Sequence, residues 1–210
     1  MKILDQPPKP HSRSIAKVAI LTGLSQPVSN HLSTDQVALM DALPIPKEWK
    51  VYRNFPYIEL EKITDANHLI SASFENIKQF VYSHGKQYRY RARKHWDSIL
   101  GSTENLFLIT GSCGIQLANS IPYRKFPNHR IEVLALGPVS LKASPFPVTT
   151  VSGDRDHLSN FFRFTRNHIL QNTKHMDYWN HPEVREIASH WLQSRTLKLL
   201  EQAVIFPKGN

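Results

Sequence analysis

Four short apolar runs, each meeting a glycine or another small residue near its end, restrict what this chain can fold into more than any other feature. "IAKVAILTGL" (15–24), "NLFLIT" (105–110), "HRIEVLALGPVS" (129–140) and "FPVTTVSGD" (146–154) are rich in β-branched residues. Runs this short, bounded by turn residues, read as buried strands. A weaker strand is expected over Trp49–Arg53, in "WKVYRNFPYIEL", where Pro56 breaks the extended pattern.

Helical segments lie between the strands. "STDQVALMDAL" (33–43) offers Ser33 or Thr34 as an N-cap and closes at Pro44. The stretch 67–100 carries helical spacing in two pieces broken at Gly85, and a short helix is expected from Cys113 to Ser120, ended before Pro122. The last, "HPEVREIASHWLQSRTLKLLEQ" (181–202), opens with Pro182 in its first turn and gathers Val184, Ile187, Ala188, Trp191 and Leu192 on one side. Strands alternating with helices imply an α/β fold, a mostly parallel sheet covered by helices on both faces.

The 210 residues fit one domain over 15–210 behind a flexible N-terminal segment, 1–14, that holds Pro7, Pro8 and Pro10. A hydrophobic share of 40% is too high for a disordered chain. With no apolar run long enough to span a bilayer and no apolar signal-peptide centre, a cytoplasmic protein is expected. The single cysteine, Cys113, excludes a disulfide framework and cannot by itself build a thiolate metal site.

The chemistry is expected where "LFLITGSCGIQL" (106–117) turns from strand to helix. In a parallel sheet, ligands bind beyond the carboxyl ends of the strands, where Gly23, Ser112, Gly137 and Gly153 fall. A sharp strand-to-helix turn strains the residue at its centre and demands small residues two positions to either side. Centred on Ser112 those are Thr110 and Gly114; centred on Cys113 they would be Gly111 and the bulky Ile115. Steric room therefore selects Ser112.

"TGSCG" resembles the nucleophile elbow of the α/β-hydrolase superfamily, G-x-S-x-G, with Thr110 in place of the first glycine. The resemblance implies a small three-layer sandwich with Ser112 as nucleophile, followed in the chain by an acid and then a base. "VTTVSGDRDHLS" is similar to the segment that carries the acid and points to Asp156, with Asp154 as competitor; the structural role open to Asp154 is capping the helix that begins near Ser159. "KHMDYWNHPEVREIASHWL" matches the layout around the base and points to His175, with His181 and His168 as alternatives. For the oxyanion the resemblance implies the backbone N–H groups of Cys113 and of Leu24, the latter in the loop "LTGLSQ". The acid follows Ser112 so closely that no helical lid fits between them, which implies a lidless serine esterase or thioesterase.

A net charge of +9, from 26 Lys and Arg against 17 Asp and Glu, attracts anionic partners. The densest basic stretch, "HGKQYRYRARKHW" (84–96), supplies Arg89, Arg91, Arg93 and Lys94, which read either as a solvated helix face or as an approach surface for acyl carrier protein or coenzyme A. The rival reading from another class is a non-catalytic binding protein of the same scaffold that uses this surface for nucleic acid or an acidic protein. No H-E-x-x-H, paired cysteines or Gly-rich phosphate loop is present, so neither metal nor cofactor is expected.

Overall fold

The computed structural model of the chain describes residues 2–8, 10–23, 30–58, 85–162 and 164–205. Six strands, β1 (Ala16–Leu21), β2 (Lys50–Val51), β3 (Asn105–Gly111), β4 (Arg130–Leu136), β5 (Val148–Gly153) and β6 (His168–Leu170), form one sheet. Their spatial order is β2-β1-β3-β4-β5-β6, and every pairing is parallel. The described helices are α1 (Thr34–Ala42), α2 (Lys86–Leu100), α3 (Gly114–Ala118), α4 (His157–Phe161) and α5 (Pro182–Ile205).

The central strands are apolar on both faces because each face is covered. Leu106 and Leu108 of β3, with Val133 and Ala135 of β4, pack under Trp96 and Ile99 of α2 and Ile115 of α3. The alternate residues, Phe107, Ile109, Leu134 and Leu136, face Leu39 and Met40 of α1 and Val184, Ala188 and Leu192 of α5. Two faces filled this way by period-two alternation make a three-layer α/β sandwich. Near the N-terminus a 3-10 turn over Lys2–Asp5 seats Leu4, 1% exposed, in the first of these cores. No helix among the described residues is long and apolar enough to cross a membrane.

Several expected boundaries shift for local reasons. β1 stops at Leu21 because Asn54 Oδ1 takes the next amide, Thr22 N–H, at 2.9 Å. The strand expected over Trp49–Arg53 contracts to Lys50–Val51: a 3-10 turn occupies Lys47–Trp49, and past Tyr52 the chain turns to place Arg53 Nη1 2.7 Å from His31 Nδ1. α1 starts at its capping box, in which Ser33 Oγ accepts from Gln36 N–H and Gln36 Oε1 accepts from Ser33 N–H. The expected helical piece over 67–84 lies outside the described residues. β6 was not expected: of its three residues only Leu170 is buried.

The strand order reverses between β1 and β3. In an open parallel sheet this is the switch point, where loops leaving adjacent strands part and open a crevice at the carboxyl edge. The loop after β1 begins at Thr22 and the turn after β3 begins at Ser112, so both border it.

Candidate active site

Ser112 stands at the top of β3 with φ +51°, in the left-handed region that a side chain ordinarily avoids at a cost of about 1–2 kcal/mol. Neighbouring backbone holds it there: Ser112 N–H donates to Leu136 O at 3.0 Å, and Ser112 O accepts from Val139 N–H at 3.1 Å. α3 leaves immediately, packed so tightly that a Cβ on Gly114 would lie 1.9 Å from Leu21 O and 3.3 Å from Thr110 Cβ. Thr110 fits where a smaller residue was anticipated because Gly114 presents no side chain to it.

His175 Nε2 lies 2.8 Å from Ser112 Oγ, and His175 Nδ1 lies 2.9 and 3.0 Å from the two oxygens of Asp156. These three side chains come from three separate connections, 63 and 19 residues apart in the chain. The glycine that ends β5 makes the meeting possible, since a Cβ on Gly153 would sit 2.2 Å from Thr173 O. Close passage of that strand end lets the segment 171–175 reach the acid. Ser112 and His175 are half-buried, whereas Asp156 is fully buried.

A buried carboxylate needs hydrogen-bond donors, and Asp156 has three besides solvent-free surroundings. Ser159 N–H donates to Oδ1 at 3.0 Å, Tyr178 Oη–H donates to Oδ2 at 2.7 Å, and His175 Nδ1 faces both oxygens. Burial alone would raise the carboxyl pKa, but the bonds from His175, Ser159 and Tyr178 outweigh it and hold Asp156 well below the usual carboxylate range. Asp156 is therefore ionised, and it fixes the imidazole with Nδ1 as donor and Nε2 as acceptor toward the Ser112 hydroxyl.

Asp154, the competing acid, does a different job from the one the sequence suggested. It does not cap α4; Asp156 is that cap, through Ser159 N–H. Asp154 Oδ1 instead accepts Thr173 N–H at 3.1 Å and ties the His175 segment to the end of β5. His168 is exposed on β6, and His181 sits at the entrance to α5.

Cys113 follows Ser112 at the start of α3, with its side chain buried. Burial pushes its thiol up to about 11, partly offset by the neighbouring Cys113 and Gly23 amides. A thiol so rarely ionised is a poor nucleophile. Leu24, the other residue expected to supply an oxyanion donor, lies outside the described residues.

Three contributors were not singled out in the sequence. Tyr178, 2% exposed, joins Asp156 to the Gly153 amide. Asn54 accepts Thr22 N–H and donates to Thr22 Oγ1, both at 2.9 Å, and so holds the residue that follows β1. Trp179 lies against the strand end, where a Cβ on Gly111 would be 2.5 Å from its Cζ2. The basic residues lie apart on α2: Arg91 Nη1 is 3.6 Å from Asp5 Oδ2, Lys94 Nζ donates to Asp5 O at 3.2 Å, Arg93 Nε is 3.9 Å from Asp97 Oδ2, and Arg89 is exposed.

A parallel three-layer sandwich, wound in this strand order and carrying a strained serine above a central strand, has a known type. The fold is of the α/β-hydrolase kind. No family model matches the chain, and neither does any curated protein. Among solved structures, a Thermus thermophilus protein aligns over 90% of this chain and 90% of its own at 15% identity and a TM-score of 0.47. An Agrobacterium tumefaciens protein of unknown function, described as a candidate α/β hydrolase, aligns over 90% of both chains at 14% identity and a TM-score of 0.43. An arylesterase aligns over 85% of this chain and 75% of its own at 11% identity and a TM-score of 0.41. Likenesses this distant add nothing to what the strand order and the Ser112 turn establish.

Proposed function

We propose that the protein is a serine hydrolase of carboxylic esters or thioesters, with Ser112 as nucleophile, His175 as base and Asp156 as the orienting acid. The observation that carries this reading is the unbroken chain of contacts from Ser112 Oγ through His175 to the buried Asp156 carboxylate. A serine hydroxyl is inert until a base takes its proton, and a base acts only in the correct tautomer.

In the proposed reaction Ser112 Oγ attacks the acyl carbonyl as its proton passes to His175 Nε2. The oxyanion that forms accepts the Cys113 N–H at the start of α3. Collapse breaks the bond to the leaving alcohol or thiol, which takes the proton from His175. Water, deprotonated by the same nitrogen, then attacks the acyl enzyme and frees the carboxylic acid and Ser112. Asp156 stays ionised throughout and stabilises the imidazolium.

Three further features bear on the substrate. The connection between β4 and β5, residues 137–147, holds no helix, which favours an acyl group presented on a carrier. Leu158 and Phe161 follow the acid and Met176 follows the base, all three exposed, so apolar surface adjoins the segments that carry both. The net charge of +9 favours an anionic leaving group such as coenzyme A or acyl carrier protein. Arg89, Arg91, Arg93 and Lys94 are its proposed approach surface: only four residues separate α2 from β3, so the N-terminal end of the helix, where Arg89 lies, is directed toward the edge that carries Ser112.

Labelling with a fluorophosphonate probe tests the reading. The wild-type protein is expected to label and to hydrolyse p-nitrophenyl butyrate, and Ser112→Ala to do neither. Equal labelling of the two proteins, or none of either, overturns it.

A further inference from the structure

The proposed triad assigns no role to the buried phenol of Tyr178 that touches its acid. Tyr178 Oη donates to Asp156 Oδ2 at 2.7 Å and accepts the Gly153 amide at 2.7 Å. Its ring seats against Gly137, where φ is +53° and a Cβ would lie 2.6 Å from Tyr178 Cε2 and 2.8 Å from Asp156 Oδ2. One side chain thus touches the ends of β4 and β5 and the acid, and it stands three residues beyond His175 on the same connection. Burial and the neighbouring carboxylate raise its pKa, so the phenol stays protonated and remains a donor.

We propose that Tyr178 is a positioning residue for Asp156, setting both the direction of the carboxylate and the share of its charge that reaches His175. This inference rests on the serine hydrolase reading. Asp156 Oδ2 is divided between the phenol and the imidazole. A donor that holds part of the negative charge leaves less of it to stabilise the imidazolium that forms during turnover, so the phenol sets how strongly the carboxylate acts on His175. Without the phenol, Asp156 attracts the His175 proton more strongly and is also freer to turn away.

The other charged or titratable groups on these connections, among the described residues, are Asp154, Arg155, His157 and Arg166 after β5 and Lys174, Asp177 and His181 around His175. All are exposed except the half-buried Asp177 and His181. Neither variant below alters them, so a change in the pH profile reports the Tyr178 bond.

Tyr178→Phe keeps the ring and removes the donor. Its kcat is expected to fall roughly tenfold with KM little changed, while the acid limb of kcat/KM moves up by about half a pH unit. Fluorotyrosine incorporated at position 178 keeps the fold and strengthens the donor, so the acid limb is expected to move down. Opposite displacements in the two proteins support the proposal. If both keep the wild-type acid limb, including the case where Tyr178→Phe only melts earlier, the role is structural and the proposal is overturned. The fluorotyrosine protein alone decides the matter if Tyr178→Phe does not fold. Failure of the underlying reading looks different, because wild type would then show no Ser112-dependent labelling at all.

Discussion

Both carboxylate oxygens of Asp156 converge on a single nitrogen of His175, Nδ1, at 2.9 and 3.0 Å. Such symmetry sets the tautomer: with two anionic acceptors facing it, Nδ1 carries the proton and Nε2 presents a lone pair to Ser112. Replacing the carboxylate with an amide removes that constraint while preserving size and the acceptor that caps α4. Asp156→Asn is expected to lower kcat by roughly a thousandfold to ten-thousandfold, by analogy with the Asp-to-Asn change in serine proteases. Steady-state kinetics beside far-UV circular dichroism checks it; activity within tenfold of wild type on an intact fold contradicts it.

The same bonds tie stability to pH. Because the folded protein holds the Asp156 carboxyl below its ordinary value, the unfolded chain binds the proton more readily. The carboxylate therefore contributes its full share of stability above about pH 5 and loses it as pH falls through about 4 toward 2. The Tm difference between wild type and Asp156→Asn is expected to narrow over that interval. A difference that stays constant would mean the carboxylate is held no more tightly in the folded state than in the unfolded one.

Cys113 lies next to Ser112, the proposed nucleophile, yet its buried thiol is pushed up to about 11. At pH 8 only about one such thiol in a thousand is ionised, against roughly a quarter of ordinary cysteines. Iodoacetamide is accordingly expected to modify it over a hundredfold more slowly than it modifies free cysteine. Since only the backbone N–H of this residue has a proposed role, Cys113→Ala should keep kcat/KM within about threefold of wild type. A collapse of turnover on a folded Cys113→Ala protein would shift attention to the thiol.

What the sequence disclosed about this molecule is what neighbouring residues decide. The buried strands, a cap at Ser33 or Thr34 and the Ser112 turn follow from patterns within a dozen residues, such as β-branched runs or a small polar residue just ahead of a helical stretch; the choice of Ser33 is set by its pairing with Gln36. β6 escaped because an edge strand of three residues with one buried side chain has no apolar run to show. Asn54 and Tyr178 escaped because their partners lie 32 and 22 residues away, and an isolated Asn or Tyr carries no mark of a distant hydrogen bond. That Ser112, Asp156 and His175 would meet was suggested by chain order and resemblance rather than by any local force, and their side chains do meet. The role of Asp154 was misjudged for a related reason: two acids two residues apart compete for one cap, and only the path of 171–175 decides which takes it.

The demand for a small residue after the turn is sharper at Gly114 than steric intuition about the turn itself suggests. A Cβ there would meet the Leu21 carbonyl at 1.9 Å, and that carbonyl is backbone at the end of β1, not a side chain able to swing aside. Gly114→Ala must therefore drive α3 away from the strand or bend the start of the loop after β1. Overpacking of this severity costs about 3 kcal/mol or more, and the displaced backbone includes the turn that holds Ser112. Gly101, at the end of α2, makes a fitting control, since a Cβ there would stand 3.0 Å from Asp97 O of its own helix. Denaturant unfolding is expected to show a large loss for Gly114→Ala and a smaller one for Gly101→Ala. Fluorophosphonate labelling should fall with the first and persist with the second. Comparable stability in the two variants would mean that α3 can slide off β1 freely, and the close approach of helix to strand would then not be what holds Ser112 in its strained conformation.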